Sequence, residues 1–187
     1  GHVKETIKMK KRVLVAFIVS VGVSGAVYAN NTVRFLGEVT DQTCTIKING
    51  TDSYPVVLLP AVSKSELTAA GSSAGQTPFT VTLSGCDVTA TSSSSAGVRF
   101  VSNYLDGNNL KNIAAASPAT NVAIQLLEGT TELDFTSGIA KTSMQTVGGT
   151  SGPDSVSFDM AARYYSSAGG ATAGAVEAQA QFAITYL

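Results

Sequence analysis

Beyond residue 30 no stretch of the chain keeps apolar residues at every third or fourth position, as an amphipathic helix requires. Short alternating runs rich in Val, Ile, Thr, Phe and Tyr recur instead, broken by Gly, Ser, Asn and Pro. They predict strands at Val33–Val39, Thr43–Ile48, Val56–Leu59, Phe79–Leu83, Val98–Ser102, Val122–Leu127, Glu132–Phe135, Ser155–Tyr165 and Val176–Tyr186. Ala69–Thr77, Ala90–Gly97 and Gly148–Pro153 read as loops, because their small polar residues cannot pack a core. Gly129 predicts a hairpin, and Ser63–Ala70 is the one stretch suited to a helical turn. Strands at this spacing indicate an all-β sandwich.

The last two runs carry the clearest alternation. Val156, Phe158, Met160, Ala162 and Tyr164 share one face, against Ser157, Asp159, Ala161 and Arg163. In the final run Val176, Ala178, Ala180, Phe182, Ile184 and Tyr186 share one face, against Glu177, Gln179, Gln181 and Thr185. Each strand has an apolar face that must be covered. The final run is followed only by Leu187, so no later strand is expected to pair with it. Exposed edges are ordinarily guarded, and an edge left open here points to a chain built to receive another strand.

The first thirty residues are of another kind. Met9-Lys10-Lys11-Arg12 is basic, Val13–Val19 is apolar, and small residues follow to Ala29. That order reads as a secretory signal over residues 9–29, with a membrane anchor as the less favoured alternative. Residues 1–8 read as an upstream extension or cloning scar. Cleavage after Ala29 releases Asn30, and cleavage after Ala26 is the second possibility. Five of the 12 Lys+Arg but only one of the 13 Asp+Glu precede Asn30, so processing shifts the net charge to about −5. With no basic stripe, nucleic acid is not expected as a partner. No stable membrane insertion is expected after cleavage.

The single histidine, His2, lies in the leader. A Ser-His or Cys-His nucleophile pair therefore cannot be assembled from the processed chain. Glu132 with Asp134, and Asp154 with Asp159, read as solvated surface acids. Neither catalytic residues, a cofactor nor a metal is expected. Cys44 and Cys86 form an even pair in an exported chain and read as a disulfide. A metal site is the alternative, but it lacks further ligands.

Four segments in order bear a family resemblance. They are Thr32–Val39 leading to Asp41-Gln42-Thr43-Cys44, then Thr77–Cys86, then Ala119–Leu127, then Ala162–Tyr165 with Gly170–Gly174 and Phe182–Leu187. Together they resemble the subunits of chaperone–usher fimbriae, specifically the type 1-like major pilins. The family's C-terminal motif has a penultimate aromatic and a glycine fourteenth from the end, and Tyr186 and Gly174 occupy those positions.

The resemblance implies an incomplete immunoglobulin-like β-sandwich lacking its final strand, over residues 37–187. A periplasmic pilus chaperone would lend a strand to an acceptor groove marked by Gly174, Val176, Phe182, Ile184 and Tyr186. At the outer-membrane usher, the N-terminal extension of the next identical subunit would replace it, a form of β-augmentation. Residues 30–36 are that donor segment. Asn31, Val33 and Phe35 point into a neighbour's groove, Thr32 and Arg34 point outward, and Gly37 marks the bend into the domain. The competing reading makes Val33–Val39 the molecule's own first strand. The implied role is structural: a subunit of a surface fimbria, exported through the periplasm and supporting adhesion. A minor adaptor or tip pilin with a binding role is the alternative.

Overall fold

A computed structural model describes residues 31–187. The expected signal segment and its two cleavage positions lie outside the described residues. Gly37–Leu187 form one compact unit. Asn31–Leu36 have no regular structure, and Val33, Phe35 and Leu36 among them are exposed.

Eleven strands make up the unit: β1 (Thr45–Ile48), β2 (Ser72–Ser84), β3 (Ser94–Val101), β4 (Leu105–Asp106), β5 (Asn109–Lys111), β6 (Ala123–Glu128), β7 (Thr131–Glu132), β8 (Ile139–Lys141), β9 (Gln145–Val147), β10 (Val156–Ser166) and β11 (Gln181–Thr185). One sheet runs β1-β2-β10-β6-β5-β4, with β7 also on β6. The other runs β11-β3-β8, with β9 also on β3. All strand pairings are antiparallel. The inward side chains of both sheets meet in one core that includes Phe79, Val81, Leu83, Val98, Phe100, Leu126, Phe135, Val147, Phe158 and Met160. Burying one such side chain is worth about 1.5–3 kcal/mol.

The outward face of the long sheet is tied by Arg163. Its guanidinium donates to Gln125 on β6 at 2.7 Å, to Glu132 on β7 at 3.1 Å and to Gln76 on β2 at 3.4 Å. Gln125 is itself buried, so this contact satisfies an amide that would otherwise be costly to desolvate.

Several sequence expectations need correction. The expected loop at Ala69–Thr77 is largely strand, since β2 starts at Ser72 and pairs Ser72–Ala74 with Tyr164–Ser166. Small residues gave no alternation there, and the register shifts between Ala162 and Tyr164. Gly75 sits at that bulge with φ +66, and a Cβ on it would meet the Tyr164 ring at 2.9 Å. Strand β3 likewise begins inside the expected serine-rich loop. Val33–Val39 is not a strand, and Val56–Leu59 is extended without ladder partners among the described residues. The short strands β4, β5, β8 and β9 were not anticipated, because two or three residues carry no period.

Other expectations match the fold. Glu128 pairs with Thr131 across Gly129 in the expected hairpin. Lys64–Leu67 is a 3-10 turn begun by a Ser63/Glu66 capping box.

Candidate functional site

The final expected strand divides in two. Gln181–Thr185 pair with Val101–Gly97 of β3, whereas residues 176–180 are extended and belong to no ladder. The cause lies in the partner strand. β3 ends at Val101, and Ser102 turns away, donating its N–H to Gly138 O at 3.1 Å. β11 is the end strand of its sheet, so its other edge is open.

Exposure along this stretch repeats the alternation of the sequence. Val176, Ala178, Ala180, Phe182, Ile184 and Tyr186 pack against the core yet stay half-buried, and Glu177, Gln179, Gln181 and Ala183 are exposed. Thr185 breaks the rule: expected on the polar face, it is buried, lying beside Glu38. An apolar face that reaches the core and remains half-open is the mark of a sandwich with cover missing.

A second extended stretch carries the same signature. Pro55, Val57 and Leu59 are half-buried, and Val57 and Leu59 pack against the core, while Tyr54, Val56 and Leu58 are exposed. Proline cannot donate to a ladder, and Pro55 and Pro60 bracket this stretch. Tyr164 anchors it by donating its hydroxyl to Pro60 O at 2.8 Å. Leu59 and Val62 share a cleft of about 310 Å³ with Leu67, Val122, Tyr164 and Val176. The two unpaired stretches thus flank one apolar opening.

Gly174 lies at the mouth of that cleft. Its requirement for glycine is one of close approach, because a Cβ there would lie 2.4 Å from Ala119 N and 2.6 Å from Ser117 O. Ala175 bridges in parallel to Pro118. Asn112 completes the joint: its amide donates to Ala119 O and Ala175 O, each at 2.9 Å, and its carbonyl accepts from Glu177 N at 3.1 Å. Sequence reasoning found Gly174 by its position but missed Asn112, whose partners are up to 65 residues away.

The other end of the stretch is held by Tyr186. Its backbone N–H donates to Glu38 Oε1 at 3.0 Å, and its hydroxyl accepts from Cys44 N at 3.0 Å. Glu38 Oε2 lies 3.6 Å from Arg99 Nη2, both side chains being largely buried. Burial opposes the charge on Glu38. The Tyr186 N–H, the Thr185 hydroxyl and Arg99 outweigh it and hold the carboxyl below its ordinary range. Cys44 and Cys86 form a disulfide that joins the start of β1 to the end of β2.

The expected donor residues Asn31, Val33 and Phe35 are exposed and lie outside the ladders. Three surface acids are engaged in structural contacts. Glu128 accepts from Ser143, Glu132 pairs with Arg163, and Thr136 holds Asp134 ionised through its hydroxyl and its N–H. Among the described residues no group of three His, Cys, Asp or Glu is placed to hold a metal ion.

Residues 23–187 match the family model described as "Fimbrial protein". The chain belongs to the fimbrial protein family. Such proteins are structural, and this fimbrial chain is not an enzyme. It is 37% identical over 166 residues to the major fimbrial subunit SMF-1 of Stenotrophomonas maltophilia, covering 84% of this chain and 93% of that protein. It is 33% identical over 189 residues to the F17 fimbrial protein of Escherichia coli, covering 95% and 99%. Among solved structures it is similar to the P pilus rod subunit PapA, with a TM-score of 0.57 at 21% identity, covering 76% of this chain and 99% of that one. The last likeness is one of fold: an incomplete immunoglobulin-like sandwich with an open edge.

Proposed function

We propose that this fimbrial protein is a structural subunit of a surface fimbria and polymerises by accepting a neighbour's N-terminal strand beside residues 176–186. The observation that carries the reading is the pair of extended stretches outside any ladder, 55–60 and 176–180, each with an alternating half-buried apolar face over the core. An inserted strand would find free main-chain groups at its edges and apolar positions at every second residue.

The donor is Asn30–Leu36 of the next copy. Val33 and Phe35 are large, apolar and two residues apart, so they reach the groove on the same face. Before assembly a periplasmic chaperone supplies the covering strand, and the usher mediates the exchange. A donor on one surface and an acceptor on another make a heterologous contact, which propagates as an open filament.

Deletion of Asn30–Leu36 tests this reading. The shortened subunit is expected to be captured by its chaperone at normal yield and to be absent from filaments as an incoming unit. Ordinary long filaments built from the deletion variant would overturn the donor assignment.

A further inference from the structure

We propose that Glu38 is a positioning residue that couples the root of the subunit's own donor strand to the strand receiving its neighbour, so that tension in the fibre passes directly between them. The inference rests on the strand-exchange reading above.

In such a fibre each subunit is pulled at two places. Load enters through Asn30–Leu36, seated in one neighbour, and leaves through residues 176–186, which hold the strand of the other. Glu38 lies two residues beyond the donor segment. The chain that follows runs to Cys44 and into β1, which belongs to the long sheet. The receiving strand β11 belongs to the opposite sheet. Load leaving through residues 176–186 must therefore cross between the sheets. An apolar core resists sliding weakly, because its contacts are individually small and non-directional.

Directional links across that gap converge on Glu38 and Tyr186. Tyr186 donates its N–H to Glu38 Oε1 and accepts from Cys44 N through its hydroxyl, each at 3.0 Å. Glu38 also pairs with Arg99 on β3, the strand to which β11 is laddered. With the Thr185 hydroxyl beside Glu38, these contacts join residues 37–44 to the β11–β3 sheet. The Cys44–Cys86 disulfide carries the same segment into β2. Glu38 Oε2 is buried without a hydrogen-bond donor, and the Arg99 guanidinium lies 3.6 Å from it, so the attraction between the two charges is poorly screened by water.

The experiment is stretching of purified fimbriae in an optical trap, comparing wild type, Glu38→Ala, Glu38→Gln, and Leu110→Ala as a core truncation on β5, four strands from β1. Opening under load is governed by the unfolding rate. Loss of a charge-assisted contact is expected to raise that rate on the order of tenfold at a given force for Glu38→Ala. Glu38→Gln keeps an acceptor for Tyr186 N–H and is expected to recover part of the difference. The clamp predicts that Glu38→Ala lowers the opening force more than a core variant of equal thermal destabilisation. If force simply tracks thermal stability across all the variants, the clamp is wrong. Should Glu38→Ala fail to enter fimbriae, Arg99→Gln is read in its place: a lowered force supports the clamp and an unchanged one overturns it. Fimbriae that form without Asn30–Leu36 would instead refute strand exchange, so the two failures are distinct.

Discussion

The hydroxyl of Tyr186 accepts a hydrogen bond from the backbone N–H of Cys44, 142 residues earlier in the chain. One side chain thus joins the end of the open-edged strand to the residue that staples the other sheet. The tyrosine ring also packs against the core, so its polar tip and apolar body do separate work.

Tyr186→Phe keeps the ring and removes the acceptor for Cys44 N–H. A partly buried donor left without a partner costs about 1–3 kcal/mol. Urea unfolding of the disulfide-intact subunit should show a lower midpoint with an unchanged slope. An unchanged midpoint would mean that water replaces the hydroxyl at no cost.

Gly174→Ala should be damaging although the residue is exposed. Its new Cβ would meet backbone atoms of residues 117–119, which cannot rotate aside. Overpacking of this kind costs about 1–3 kcal/mol, a fall of several degrees in Tm. Gly37→Ala is the matched control, since nothing lies within 4 Å of a Cβ there. Differential scanning calorimetry of both variants checks the contrast. Equal melting temperatures would remove the close-approach explanation.

Cys44→Ser opens a loop with a sequence separation of 42. In the chain-entropy model that forfeits about 4 kcal/mol. Periplasmic subunit levels, read by quantitative immunoblot, should fall sharply. Unchanged abundance would show that the strand pairing of β1 with β2 suffices without the covalent staple.

Glu38 makes stability depend on pH in a definite direction. Its folded carboxyl titrates below the ordinary value of 4.5, so the unfolded chain takes up the proton first. The contribution is therefore fully present above about pH 4.5 and is lost as pH falls through the folded value. The charged groups facing this end are Arg99 on β3, Lys141 on β8 and the terminal carboxylate of Leu187, to whose carbonyl oxygen Lys141 donates at 3.5 Å. Asp87 and Asp134, held low by Thr89 and Thr136, titrate alike in wild type and variant and cancel in the comparison. Urea midpoints of wild type and Glu38→Gln should converge between pH 5 and pH 3. A gap constant over that range would show that the Glu38 charge contributes nothing.

The sandwich and its open edge were legible because long strands write a period of two into the sequence. Val156–Tyr164 and Val176–Tyr186 show it plainly, and the half-buried positions of the latter fall on the alternate residues that the pattern marks. Short strands such as β8 and β9 contain too few residues to show any period, and the serine-rich start of β3 hides its alternation among small side chains. Val56–Leu59 was read as a strand because its composition favours extension, yet extension is a local property and pairing is not. Tyr186 and Gly174 were found by family position, and the structure gives each a physical reason. Glu38, Arg99 and Asn112 were invisible, since each works through partners 61 to 148 residues distant that no local pattern encodes; Asn112's nearer contact with Ala119, 7 residues on, gave no signal either.

The most direct measurement of strand insertion is hydrogen exchange by mass spectrometry on intact filaments and on subunits released from them. The account predicts slower exchange in filaments for two peptides above all, residues 55–61 and residues 176–186, with residues 30–36 protected alongside them. Equal exchange of those peptides in filament and free subunit, with the filaments intact, would contradict it.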